Sequence, residues 1–319
     1  MSHEKPGSTG PGMTASQGTA ESPPVSRYRF GVICVLSAAL FTSSAGILVR
    51  LVEQADGWQL LAYRQVSFTV VLFGSVLLLY RGGLGRAFRA VGVQGLVISV
   101  ALASAFCTYV FALIATSVAD VVFMLSLSPF AAGLLAWLIL REPIDLRLWL
   151  AMIGAFIGLA IMVGGGLGQR APETQLQGQL MALASVVGYA IALVAMRSRP
   201  KVDMLPAVCL AGLLSAVFAL FMAGDLRVTP QDLAIGIALG VFQLGLQYIL
   251  LTIGTRHVRA AEVALLARVQ AILAPLWVWI GVGEVPTLTT LIGGAVLLLA
   301  VGLHAAWSLG APSEARGPI

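Results

Sequence analysis

The sequence predicts an all-α polytopic membrane protein, with ten transmembrane helices arranged as two inverted five-helix repeats. Three observations predict this fold class. Of 319 residues, 59% are hydrophobic and only 10% are charged, whereas about a quarter of the residues in soluble domains are charged. Ten apolar stretches are each long enough to cross the bilayer core as a helix. A pattern in the first half of the chain returns in the second half without a gap.

The repeated pattern is clearest between residues 119–143 and 261–284. An offset of 142 positions aligns four pairs of residues, which are Asp120 with Glu262, Leu134 with Leu276, Trp137 with Trp279, and Glu142 with Glu284. A weaker correspondence at an offset of 147 links the first span to the sixth. Internal repeats of this kind indicate a duplicated protein.

The predicted elements follow in order along the chain. Residues 1–26 are rich in Gly, Ser, Thr and Pro, a composition that predicts a disordered cytoplasmic tail. The first repeat, 27–168, and the second repeat, 169–309, each contain five spans, and 310–319 form a second cytoplasmic tail. The ten predicted spans cover residues 30–49, 58–79, 91–115, 118–140, 148–166, 178–196, 204–223, 233–253, 260–282 and 287–309.

The placement of the basic residues predicts the orientation of the spans. If the N-terminus lies in the cytoplasm, fourteen Lys and Arg residues fall in cytoplasmic segments and three fall outside. This asymmetry follows the positive-inside rule, favours ten spans over nine or eleven, and places both termini in the cytoplasm. Because each repeat has an odd number of spans, the second repeat enters the membrane with the opposite orientation. Inverted repeats in many transporters build a midplane site and permit alternating access.

Two arginines lie within predicted spans. Arg64 lies about six residues into the second span, roughly 9 Å from its outer end at 1.5 Å per residue, and Arg268 lies at a similar depth from the inner end of the ninth. Because a charge in the membrane is costly, such residues are candidates for a substrate pathway. In the functional interpretation, each arginine lines a hydrated cavity and attracts a carboxylate or phosphate. In the structural interpretation, its side chain extends to the membrane interface or pairs with an acid at a helix end.

Other polar residues complete the predicted substrate pathway, namely Ser43, Ser44, Tyr109, Tyr189, Gln243, Gln247 and Gln270. Gln243 and Gln247 stand one helical turn apart and therefore share a helix face. That face turns either to water or to hydrogen-bonding groups of another helix. Trp277 lies near a helix end, where it is expected to anchor the helix at the membrane interface.

Acids and prolines in or beside the spans are candidates for gates and hinges. The acids are Asp120, Glu142, Glu262 and Glu284, and the prolines expected to kink the fourth and ninth spans are Pro129 and Pro275. Asp120 and Glu262 lie at span ends, where solvation should keep both ionised. The first and sixth spans contain no acid, so transport is not expected to depend on a proton carried there.

Several function classes are disfavoured. The chain has no GxxxxGK[ST] loop, so ATP-driven transport by this chain alone is not expected. The three cysteines lie in apolar runs and form neither a CxxC motif nor a Cys/His cluster, so no metal site is predicted. The acids and histidines are scattered, which disfavours an enzyme. The pI near 9.4 would suggest nucleic acid in a soluble chain, but here the basic residues follow membrane topology.

A family resemblance agrees with the spans. The run ALIATSVADVVFMLSLSPFAAGLLAWLILREP, at 112–143, resembles the fourth-helix signature of EamA-type permeases in the drug/metabolite transporter superfamily. The second copy, RHVRAAEVALLARVQAILAPLWVWIGVGE, resembles the ninth helix, with Ala271 where that family often has proline. Arg64 fits an arginine often seen in the second helix. The resemblance covers 28–309 and implies ten helices, two inverted repeats, a central cavity, and export of small metabolites such as amino acids without a cofactor.

The sequence therefore predicts a secondary transporter in the plasma membrane, the inner membrane of a bacterium. Its expected partners are a small-molecule substrate and the lipid bilayer, with no nucleic acid, and the protein is expected to be a monomer or homodimer. The leading hypothesis is export of amino acids or related amphipathic compounds. An uptake permease or facilitator of the same fold is the alternative within transport, and a membrane-embedded lipid-modifying enzyme is the alternative outside it.

Overall fold

The computed structural model describes residues 25–80, 83–141, 144–165, 172–198, 203–258 and 260–310, and the regular structure within these ranges is helical throughout. Glu142 lies outside the described residues. The first half of the chain forms α1 (Val25–Ser43), α2 (Ala45–Arg50), α3 (Gly57–Leu79), α4 (Leu84–Ala115), α5 (Val118–Leu125), α6 (Ser128–Leu140) and α7 (Leu146–Gly165).

The second half contains seven α-helices and one π-helix. They are α8 (Pro172–Arg197), α9 (Leu205–Ala223), α10 (Pro230–Ala238), the π-helix (Leu239–Leu246), α11 (Gln247–Gly254), α12 (Ala260–Ala267), α13 (Val269–Val282) and α14 (Leu288–Gly310).

Within the described ranges, nine helical stretches are long and apolar enough to cross a membrane. They correspond to the first nine predicted spans. Helix α14 coincides with the tenth prediction at 287–309, and the part of it whose side chains are described, Leu288–Leu303, is an apolar helix. The structure therefore supports a polytopic membrane protein, and a tenth span remains a prediction.

Three of the spans consist of two helices with an interruption between them. The first is interrupted at Ser44, the fourth at Ser126 and Leu127, and the ninth at Arg268. Ser44 and Ser126 each donate a side-chain hydrogen bond to a carbonyl in the preceding turn, at 2.7 and 3.2 Å. Such bonds compete with regular helix formation.

The two prolines expected to kink spans occupy different positions relative to these interruptions. Pro129 lies in the first turn of α6, directly after an interruption, where its missing N–H costs no helical hydrogen bond. Pro275 lies inside α13, which continues past it from Val269 to Val282, and the interruption of that span falls at Arg268 instead.

Helices from the two halves of the chain pack against each other in one bundle. Helix α4 packs against α8 and α9, α3 against α9 and the π-helix, and α7 against α14. The contact of α7 with α14 requires glycine, because a Cβ atom at Gly158 would lie 2.6 Å from the carbonyl oxygen of Gly293. The largest core cluster contains residues of both halves, from Ala45 to Val278. Any movement of one half must therefore alter contacts with the other.

Candidate functional site

The Arg64 guanidinium lies in the core of the bundle. Arg64 is only 1% exposed, although Arg is among the residues least often buried. Its Nε and Nη2 donate to Gln243 Oε1 at 3.3 and 3.1 Å. Its Cζ lies 5.6 Å from the centre of the Tyr109 ring, a distance at which a cation–π attraction operates. Gln243 and Tyr109 thus hold one edge and one face of the guanidinium.

No carboxylate neutralises Arg64 among the described residues. In the described residues, an ion pair joins Arg50 to Glu284. No Asp or Glu oxygen in these residues lies within 4 Å of Arg64. The Nη1 atom of Arg64 is buried and has no hydrogen-bond partner there. A buried, unpaired charge destabilises a fold by several kcal/mol. Arg64 is therefore poorly explained as a purely structural residue.

Gln243 reaches Arg64 because the π-helix lies unusually close to α3. A Cβ atom at Gly240 would collide with the carbonyl oxygen of Arg64, so only glycine permits this approach. The wide π-turns around Gln243 are uncommon and occur often at functional sites. The amide that orients Arg64 is thus itself placed by an irregular backbone.

Tyr109 also lines a small polar cavity of about 50 Å³. Its polar lining comes from Thr42, Ser43, Tyr109, Ser126, Arg268 and Gln270, and its apolar lining from Val122, Leu125 and Ala274. The cavity lies where the interruptions of the first, fourth and ninth spans meet. It has space for a few water molecules but not for an amino acid. Interrupted helices of this kind form the substrate sites of many transporters.

The structure brings most of the predicted pathway residues to these two places. Ser43, Tyr109, Arg268 and Gln270 line the cavity, whereas Gln243 accepts hydrogen bonds from Arg64, which lies against the Tyr109 ring. The remaining three predicted residues are outside the cavity lining. Ser44 donates to the carbonyl of Phe41, the Tyr189 ring packs edge-on against Phe106 at 6.2 Å, and Gln247 begins α11.

The acids have different surroundings from those expected. Asp120 is only 1% exposed, so the prediction that solvent surrounds it is wrong. Thr290 and Thr116 cover its carboxylate with hydrogen bonds of 2.7 and 3.1 Å. Glu262 lies in the first turn of α12, and its Oε2 is buried without a hydrogen-bond partner among the described residues. Those residues contain no group of three His, Cys, Asp or Glu side chains that could hold a metal ion.

One end of the bundle, called the Arg50 end, is closed by polar contacts. Arg50 Nε forms an ion pair with Glu284 Oε2 at 2.6 Å, and its Nη2 donates to the carbonyl of Thr116 at 2.8 Å. Glu284 Oε1 accepts from the Val118 amide at 3.0 Å. Nearby, the Asp232 carboxylate accepts three backbone N–H groups of the segment 53–55. These contacts join the two halves of the chain.

Sequence reasoning missed several residues of these sites. Gln65 is fully buried, and neither of its amide atoms has a partner among the described residues. Its position beside Arg64 in an apolar span was a usable signal. Trp277, expected as an interfacial anchor, instead donates to Ser43 Oγ at 3.0 Å. No signal in the sequence connects Thr290 with Asp120, which lies 170 residues earlier.

Comparison with known proteins decides the family. A family model described as the EamA-like transporter family matches the chain twice, at residues 29–164 and 176–305. The chain belongs to the EamA-like transporter family. Membership indicates an integral membrane protein and points to a transporter rather than an enzyme. The two matches fall one in each half of the chain.

Two individual proteins are similar over most of the chain. An uncharacterised transporter of Archaeoglobus fulgidus is 28% identical over 284 residues, which cover 88% of this chain and 97% of the relative. A solved crystal structure aligns with a TM-score of 0.60 at 19% identity, covering 88% of this chain and 99% of that one. At 19% identity, the similarity to this solved structure shows a shared fold alone.

Proposed function

We propose that this protein is a secondary transporter that exports small carboxylate-bearing metabolites, such as amino acids or related amphipathic compounds, by alternating access. The observation that carries the proposal is the buried Arg64, whose charge has no carboxylate partner among the described residues and whose Nη1 is free of hydrogen bonds there. A substrate carboxylate would supply both the missing charge and the missing acceptor.

The chemistry of the centre favours an anion. The planar guanidinium matches a carboxylate, and Gln243 holds Nε and Nη2 while leaving Nη1 for a ligand. Arg268 adds a second positive group at the cavity, and none of the described residues that line this cavity is an acid. Two arginines without an acid repel organic cations, so the centre favours amino acids and other carboxylates over cationic drugs.

Alternating access accounts for the arrangement around the centre. We infer that the ten predicted spans form two inverted repeats, that the termini lie in the cytoplasm of a bacterial cell, and that the Arg50 end faces outward. The cavity is too small for an amino acid, so binding requires the interrupted spans to move apart and Tyr109 to turn away from Arg64. Release to the outside then requires the Arg50–Glu284 ion pair to break.

Reconstitution into liposomes tests the proposal. Radiolabelled amino acids and organic cations are supplied to proteoliposomes and to protein-free liposomes, with and without a pH gradient. We expect the protein to accelerate the flux of one or more amino acids but not of the cations. Flux measured in both directions separates export from the alternative of uptake. Preferential transport of organic cations would contradict the assignment of Arg64 as the binding group.

A further inference from the structure

A second polar group, the side-chain amide of Gln65, is buried next to Arg64 in the chain. Gln65 belongs to α3 and is 0% exposed. Neither its Oε1 nor its Nε2 has a hydrogen-bond partner among the described residues, and Nη1 of the preceding residue, Arg64, also lacks one there. Buried polar groups in native proteins are nearly always hydrogen-bonded, so three unpartnered atoms on two consecutive residues require an explanation.

The face of α3 that carries Gln65 is otherwise apolar. Residues three, four and seven positions apart lie on one face of a helix. The residues that share this face with Gln65 are Leu61, Phe68, Leu72 and Val76, and each is at most 1% exposed. An apolar side chain of similar size would fit such a face without leaving amide atoms unpaired. Packing alone therefore does not explain a glutamine at position 65.

Other polar side chains of α3 are satisfied by protein atoms. Ser75 donates to a carbonyl one turn earlier at 3.0 Å, and Gln59 donates to the Asp225 carbonyl at 3.0 Å. Thr69 donates to the backbone carbonyl of Gln65 at 2.7 Å, so the backbone of Gln65 is used while its side chain is not. The amide thus leaves one acceptor and two donor hydrogens available to a ligand.

The two consecutive side chains offer different chemistry. Arg64 presents only donors, which suit a carboxylate, whereas the Gln65 amide presents donors and an acceptor. Both residues are buried in the bundle, and consecutive Cα atoms are about 3.8 Å apart, so both side chains can reach one small molecule. A simple carboxylate has no hydrogen to donate and would leave Gln65 Oε1 unpaired. A carboxylate whose adjacent carbon carries a donor would satisfy both ends of the amide.

We propose that Gln65 is a specificity-determining residue that recognises the α-amino group of the substrate, while Arg64 binds its carboxylate. This inference rests on the proposed function, because it assigns a second group of the same substrate. The ammonium donates to Gln65 Oε1, and Gln65 Nε2 donates to a carboxylate oxygen. The site then selects α-amino acids over carboxylic acids without the amino group. An α-hydroxy acid also has a donor on that carbon, but it binds less tightly because its hydroxyl is uncharged.

Thermal unfolding of the purified full-length protein tests this assignment without requiring transport, because a ligand that binds only the native state raises the Tm. Each amino acid of the flux experiment is titrated beside its α-hydroxy acid and beside the acid that has hydrogen in place of the amino group. We expect the wild type to bind the amino acid about tenfold or more tightly than the acid without the amino group, as the loss of one charged hydrogen bond implies. The α-hydroxy acid should lie between them.

Gln65→Met removes the amide with little change of volume. We expect this variant to lose the preference for the amino acid, whereas its Tm without ligand should equal or exceed that of the wild type. Gln65→Asn keeps the amide on a shorter side chain, should reduce the preference, and serves as the second variant if Gln65→Met does not fold. Gln177→Met replaces an exposed glutamine of α8 and is the matched control, which should keep the wild-type preference.

The assignment of Gln65 is overturned if the wild type binds the amino acid and the acid without the amino group equally, or if Gln65→Met keeps the full preference. An internal water molecule is the competing partner of the amide, and in that case Gln65→Met changes the Tm but not the preference. If Arg64→Leu loses the response to amino acids while Gln65→Met keeps the preference, the role of Gln65 fails alone. A wild type that responds to no carboxylate and transports no amino acid refutes the proposed function, and this inference with it.

Discussion

Replacing Arg64 by Leu separates anion binding from a structural role. The change removes a buried guanidinium and its hydrogen bonds to Gln243. A buried amide left without partners costs about 1–3 kcal/mol, whereas removal of an uncompensated buried charge recovers several kcal/mol of desolvation. We therefore expect the stability of Arg64→Leu to equal or exceed that of the wild type. The double variant Arg64→Leu/Gln243→Leu should be more stable than the single variant.

Transport should change in the opposite direction. A hydrogen bond to a charged group contributes about 1.5–3 kcal/mol. Because about 1.4 kcal/mol corresponds to tenfold, its loss weakens the apparent substrate affinity about 10- to 150-fold. Arg64→Lys retains the charge but not the planar fork, so its loss should be smaller.

The assay is amino-acid uptake into proteoliposomes, normalised to the amount of folded protein and accompanied by the Tm of each variant. Arg147→Leu removes an exposed arginine at the start of α7 and serves as the matched control. Normal uptake by Arg64→Leu at an unchanged level of folded protein would show that Arg64 is merely structural. A large fall in Tm would equally refute the reasoning, since it would mean that the charge is compensated in the native state.

Three further predictions concern packing, topology and energy coupling. Gly240→Ala places a Cβ atom against the Arg64 carbonyl and should cost about 1–3 kcal/mol of stability and weaken uptake, whereas Gly74→Ala, in open space, should change neither. Equal Tm values for the two would contradict the close approach. Reporter fusions at Ile319 and beside Arg170 should localise to opposite sides of the membrane, and a shared side would overturn the ten-span topology. Counterflow of substrate between loaded vesicles and medium should continue without a pH gradient. Uphill accumulation that is driven by an imposed pH gradient and abolished by Glu262→Gln would instead show that transport is coupled to protons.

The helices were predictable from the sequence because hydrophobic length alone determines where a chain can cross a membrane. The interruptions and bends of the helices were less predictable. The third predicted span begins at residue 91, whereas α4 begins at Leu84 and changes direction at Gly92, whose φ of 58° favours glycine. The ninth span is interrupted at Arg268, whereas α13 continues through Pro275, where the local backbone restriction of proline predicted a kink.

Parts of the site were predictable because charged and amide side chains are costly in an apolar span. This reasoning applies to Arg64, Gln243 and Arg268. In the structure, Arg64 donates to Gln243, and Arg268 lines the polar cavity. Such reasoning does not reveal partners that meet only after folding. The burial of Asp120 depends on Thr290, a threonine 170 residues later, and the π-helix that presents Gln243 has no simple sequence signature.

The central claim is that the Arg64 guanidinium binds the carboxylate of a transported substrate. Competition against uptake of a transported amino acid tests it most directly, with the unlabelled amino acid and its carboxamide as competitors in wild-type and Arg64→Leu proteoliposomes. The account predicts that the wild type prefers the carboxylate over the amide by about tenfold or more, as loss of one charged hydrogen bond implies, and that Arg64→Leu does not discriminate between them. An undiminished preference in Arg64→Leu would contradict the account.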